Sequence, residues 1–133
     1  RFEMKKIKIL LAKLGLDVHN RGLITVAKTL CDAGYEIVYI NNAFPKEIIS
    51  TAIQESVDVV GVSSLCGAHI TLGRKLLEEA DVYGLKEEMI FLIGGVFSPK
   101  DIPILEEIGF NKVFTTDITT NQIDLDIKNL INS

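Results

Sequence analysis

A chain of 133 residues suits one compact domain and is too short for two, and with 47% apolar residues it can bury a core without disulfides or a structural metal. A net charge of -4, with 14 Lys and Arg residues scattered along the chain, leaves no basic stripe to follow a nucleic-acid backbone. No apolar run reaches the roughly 18 residues of a membrane span, and two cysteines without framework or zinc spacing suit free thiols, so the expectation is a cytoplasmic protein that engages neither nucleic acid nor membrane.

A single domain is read over residues 1–133, with residues 1–3, ahead of Met4, expected to be foreign to the fold. Residues 7–12 form the first apolar, β-prone run. Leu23, Val26, Ala27, Leu30 and Cys31 then recur at the spacing of one helix face, and Gly34 is the stop signal. The second run, 36–40, leads to a helix opened by Pro45 and lasting to about Glu55. The third and fourth runs, 57–63 and 89–93, are nearly continuous in apolar residues, as parallel strands covered on both faces are. A helix over 70–83 separates them. Pro99 is expected to open a further helix ending near Gly109, and a short run at 112–114 precedes a last helix over 120–131. Five β-α pairs without linker or internal repeat predict a doubly wound α/β domain, with a five-stranded parallel sheet in the flavodoxin-like order 2-1-3-4-5.

In such sheets ligands bind outside the carboxyl ends of the strands, at the point where strand order reverses. The loops at that edge are 13–22, 63–67, 94–98 and 115–119. The first carries Lys13, Asp17, His19 and Gly22. A metal-binding imidazole usually gives its other N–H to a carboxylate, and Asp17 is spaced to receive it from His19, with Lys13 able to keep Asp17 ionised. Gly22 permits a tight turn or close approach to the backbone. On residue types alone, a solvated turn with a chance histidine accounts for this loop equally well. Ser63 and the pair Gly94-Gly95 put small residues at the ends of two buried strands, where they either make room for a ligand or simply form turns. Together the loops outline a slot suited to a flat, bulky group.

Other α/β ligands leave their marks elsewhere. There is no Gly-x-Gly-x-x-Gly after the first strand and no Gly-Lys-Ser/Thr phosphate loop. A phospho-acceptor receiver would want a carboxylate where Ser63 stands. His69 reads as a helix N-terminal or surface residue, and Glu78-Glu79 as a solvated face.

The pattern Asp17-x-His19-x-x-Gly22, Ser63-x-Leu65 and Gly94-Gly95 resembles the cobalamin-binding domain of the adenosylcobalamin-dependent mutases, over nearly the whole chain. The stretches LLAKLGLDVHNRG, VDVVGVSSLCGAH and FLIGGVFSP are most similar to the acyl-CoA mutases: methylmalonyl-CoA mutase and the small subunits of isobutyryl- and 2-hydroxyisobutyryl-CoA mutase. Glutamate mutase is a more distant likeness.

The resemblance implies that adenosylcobalamin binds base-off, with His19 as lower axial cobalt ligand and Asp17 and Lys13 continuing the chain behind it. The displaced nucleotide tail would enter the slot, where Ser63 contacts its base, Leu65 packs on it, and Gly94 and Gly95 leave space. Arg21, Gly22 and Thr116 join the implied cofactor-binding set. No catalytic residue is expected in this chain. A separate large (β/α)8-barrel acyl-CoA mutase subunit is the implied partner; it would bind the acyl-CoA substrate, and the chain would be inactive without it. The edge that faces the corrin is expected to expose apolar area. After the fifth strand Phe114-Thr-Thr-Asp-Ile-Thr119 stands where methylmalonyl-CoA mutases carry a Gly-Pro-Gly-Thr-like turn, which is closer to the 2-hydroxyisobutyryl-CoA mutase small subunits. Alternatives are a corrinoid methyl-carrier protein, whose family shares the histidine motif behind a helical bundle, a non-catalytic cobalamin module, and a structural domain without cobalamin.

Overall fold

The computed structural model describes residues 6–14, 21–64, 69–95, 97–115 and 119–132. Strands and helices alternate as β1 (Lys8–Leu14), α1 (Arg21–Asp32), β2 (Glu36–Ala43), α2 (Pro45–Glu55), β3 (Val59–Ser64), α3 (His69–Val82), β4 (Ile90–Gly95), α4 (Asp101–Ile108), β5 (Lys112–Phe114) and α5 (Thr120–Ile131). All strand pairs are parallel, in the order β2-β1-β3-β4-β5. This is the flavodoxin-like arrangement expected from the sequence.

Side chains alternate between the two faces of a strand, which splits the core into two layers. Leu10, Val60, Val62, Phe91 and Ile93 face Ile48 and Ile49 of α2, Leu76 and Leu77 of α3, and Leu105 of α4. On the other face, Ile9, Leu11, Val59, Leu92 and Phe114 meet Leu23 and Leu30 of α1 and Ile127 of α5. Full burial of each such aliphatic side chain is worth roughly 1.5–3 kcal/mol, so the two layers together supply the drive to fold.

Local chemistry sets the boundaries. Gly34 (φ 105°) lets the chain leave α1, and Ser56 closes α2 in a left-handed conformation (φ 54°). The helix expected from Pro99 begins two residues later, at Asp101, whose N–H donates to the Ser98 carbonyl at 2.9 Å. Pro99 therefore belongs to the turn before the helix. Thr119 caps α5, its hydroxyl accepting from the Gln122 N–H at 3.1 Å.

Two strand entries use a side chain as a substitute peptide. Asp58 takes the Lys8 N–H on its Oδ2 at 3.0 Å and gives its own N–H to the Lys8 carbonyl at 2.8 Å. Asn111 does the same with Phe91, at 2.8 and 2.7 Å. The third strand, read from residue 57, accordingly starts at Val59.

At the carboxyl ends the strands run further than the apolar pattern. Lys13 lies inside β1 and both Gly94 and Gly95 inside β4, where the sequence reading put them in loops, and β3 runs one residue past Ser63, the end read for it. Ladder hydrogen bonds satisfy the backbone whatever the side chain is, so pairing continues through polar and small residues. A register shift between Ala12 and Lys13, paired with Ile40 and Asn42, leaves Asn41 as the extra residue of a bulge at the same end.

At the amino end, Tyr35 donates its phenol to Asp124 Oδ1 at 2.6 Å, joining the start of β2 to α5. Burial, then the hydrogen bond, then the negative charge of Asp124 all push the Tyr35 phenol well above its ordinary value. Among the described residues, no helix is long and apolar enough to cross a membrane.

Candidate functional site

Lys13 pairs with Ser63, Ser63 with Gly94, and Gly94 with Phe114. These residues of four neighbouring strands form one transverse row near the carboxyl edge. Counting back by two along each strand gives Leu11, Gly61 and Leu92, of which Leu11 and Leu92 belong to the layer under α1 and α5. The row therefore points to the α1/α5 face. Three of the residues that the sequence singled out for one ligand, Lys13, Ser63 and Gly94, are brought side by side.

Lys13 is only 1% exposed, one of the largest fully buried side chains. A buried ammonium must be met by acceptors or a carboxylate, which is the part the sequence reading gave to Asp17. Asp17, His19, Leu65 and Thr116 lie outside the described residues, as do the side chains of Arg21 and Gly22 in the first turn of α1.

The two glycines of β4 differ in what surrounds them. A Cβ at Gly94 would meet Phe114 Cβ and the Phe114 carbonyl oxygen at 3.8 Å, ordinary contact, so the fold itself does not demand glycine there. A Cβ at Gly95 would collide with the Ser64 carbonyl oxygen and press on the Phe97 ring at 3.1 Å. Gly95 is thus required by the closure of the β3 and β4 ends. On the face of Gly94, Ser63 is also small, whereas the place of a side chain at Gly61 is taken by Leu11, whose Cδ2 would lie 3.0 Å from a Cβ there. Gly61 was missed in the sequence reading, although an isolated glycine inside an apolar strand signals close approach.

Two hydroxyls carry a further signal. Tyr39 Oη and Ser64 Oγ are buried and have no hydrogen-bond partner among the described residues. Ser64, on the opposite face from Ser63, is 0% exposed. Most buried polar atoms in folded proteins are paired, so each of these two hydroxyls calls for an explanation. Small residues in a row, a buried cation beside them and an unpaired hydroxyl on the same face fit a bulky group that carries its own acceptors, as the nucleotide tail of a cobalamin does. The rim of this edge also exposes an aromatic ring, Phe44, at the end of β2, 48% accessible.

A family model described as the B12 binding domain matches residues 7–117. The chain is 38% identical over 126 residues to the 2-hydroxyisobutanoyl-CoA mutase small subunit of Aquincola tertiaricarbonis, covering 94% of this chain and 92% of that protein. It is 37% identical over 114 residues to the methylmalonyl-CoA mutase large subunit of Streptomyces virginiae, which is 84% of this chain but 15% of that protein. A solved cobalamin-binding protein from Desulfitobacterium hafniense superposes with a TM-score of 0.80 over 93% of this chain and 59% of its own, at 18% identity, a likeness of fold.

Proposed function

The chain belongs to the B12-binding domain family, and from that premise we propose that it is the cofactor subunit of an adenosylcobalamin-dependent acyl-CoA mutase. The observation that carries this reading is the row Lys13–Ser63–Gly94 on one face of the sheet, in a chain 38% identical to a mutase small subunit over nearly the full length of both.

In this reading His19 would bind the cobalt, and Asp17 would accept its second N–H, fixing the tautomer and raising its basicity. Lys13 holds Asp17 as the carboxylate from inside the sheet. Ser63 hydrogen-bonds the base of the displaced tail, Leu65 packs against it, and Gly94 leaves the room it needs. Gly95 contributes by letting the two strand ends approach. Arg21, Gly22 and Thr116 complete the surrounding loops. The cofactor, when bound, supplies the radical chemistry of carbon-skeleton rearrangement. This chain would hold the cofactor's metal through His19, and a separate large barrel subunit would enclose the acyl-CoA. Phe44 is apolar surface that such a subunit would cover.

The test is a visible-spectrum titration of hydroxocobalamin into the purified chain and into His19→Ala. Axial ligation requires a spectral change in the parent that the variant lacks; identical spectra would remove the axial role. Assays with candidate large subunits and methylmalonyl-, isobutyryl- or 2-hydroxyisobutyryl-CoA then separate a mutase subunit, which isomerises one of them, from a methyl carrier, which isomerises none.

A further inference from the structure

Tyr39 sits in the middle of β2, paired with Leu11 of β1, and its ring packs into the layer under α1 and α5. The same layer holds Leu11, Leu23, Val26 and Leu30. Phenylalanine would serve such an environment better, because the phenol oxygen is buried there with no partner among the described residues. Leaving a hydroxyl unpaired in an apolar layer works against folding. The packing therefore gives no reason for the oxygen, and the cofactor-free fold carries its cost.

The position supplies a reason. Tyr39 is on the same face as Lys13, Ser63 and Gly94, and Lys13 is its diagonal neighbour, one strand across and two residues nearer the carboxyl edge. With parallel strands about 4.8 Å apart and two residues rising about 6.6 Å, such neighbours are about 8 Å apart at Cα, within reach of a long aromatic side chain. A phenol is a hydrogen-bond donor, and a nucleotide tail offers acceptors in its phosphate, ribose and base.

We propose that Tyr39 is a binding residue for the cofactor's nucleotide tail, its hydroxyl donating to an acceptor on the tail once the tail lies between the sheet and α1. The assignment rests on the cobalamin reading above and adds a residue from β2 to a site otherwise drawn from β1, β3 and β4. It also makes a distinction among corrinoids: Tyr39 senses the tail and is indifferent to the corrin ring.

Tyr39→Phe removes the oxygen and nothing else. The experiment compares the parent and this variant in titrations with hydroxocobalamin and with aquacobinamide, which has the corrin but lacks the nucleotide. The thermal midpoint of both cofactor-free proteins is measured alongside. The variant is expected to bind hydroxocobalamin about three- to ten-fold more weakly, the worth of one hydrogen bond. Its affinity for aquacobinamide should stay within two-fold of the parent, and its cofactor-free midpoint should be equal or higher. Hydroxocobalamin affinity within two-fold of the parent, an equal loss for both corrinoids, or a lowered midpoint would each overturn the assignment. A parent that takes up neither corrinoid sinks the cobalamin reading itself, whereas a parent that binds and a variant that matches it sinks Tyr39 alone.

Discussion

Ser63 and Gly94 are register partners across β3 and β4, and both stand on the sheet face covered by α1 and α5. Their neighbours Ser64 and Gly95 are also partners, yet stand on the other face, where Gly95 is pressed against the Ser64 backbone and the Phe97 ring. One residue of displacement along the strand separates a position that leaves space from one that the fold has already filled.

The glycines should therefore separate on substitution. Gly94→Ala adds a methyl group with contacts no closer than 3.8 Å, so urea unfolding should show a stability equal to the parent or higher by up to about 1 kcal/mol. Gly95→Ala should cost about 1–3 kcal/mol, because two strand ends must part to admit it. Corrinoid titration of Gly94→Val should show weakened uptake in a protein that still folds.

Ser63→Ala should leave the thermal midpoint of the cofactor-free chain within a degree or two, since the side chain is only partly buried and small. Its hydroxocobalamin affinity should fall about three- to ten-fold if the hydroxyl meets the tail base. An unchanged titration would take Ser63 out of the site.

Tyr35→Phe deletes the 2.6 Å bond to Asp124 and should lower stability by about 1.5–3 kcal/mol, the range for a hydrogen bond to a charged group. The phenol is held protonated in the folded chain above its ordinary value. Its contribution is thus complete below the unfolded phenol value of about 10 and is lost as pH rises above it. The gap in unfolding free energy between parent and variant should be constant from neutral pH to about 10 and narrow beyond it.

Asn111→Ala should cost about 1–3 kcal/mol in urea unfolding, since it leaves the N–H of the fully buried Phe91 without its acceptor. Asn111→Asp keeps an oxygen in place and should recover most of that loss. The same comparison at Asp58, between Asp58→Ala and Asp58→Asn, tests the matching contact at β3.

Much of the fold was legible because apolar runs and helix faces repeat on different periods. The helix opened by Pro45, the last helix over 120–131 and the short strand at 112–114 have the bounds read from the sequence. The carboxyl ends of β1 and β4 were not legible, because Lys13, Gly94 and Gly95 are polar or small and resemble loop residues, while backbone pairing carries them into the sheet. The transverse row is a matter of register, which one sequence does not encode locally. Gly61 and Tyr39 illustrate two kinds of omission: the glycine broke an apolar strand and was a readable signal, whereas the unpaired phenol looks in sequence like any β-prone aromatic. The loop carrying Asp17 and His19 drew attention through chemistry alone, and its residues, with Leu65 and Thr116, lie outside those the structure describes.

Tyr35 and Asp124 fasten α5 to the start of β2, at the foot of the sheet, while the row of Lys13, Ser63 and Gly94 crosses its head. The two features thus share one helix-covered layer but no partner, so a change at the mooring and a change at the row should add in their effects on unfolding free energy.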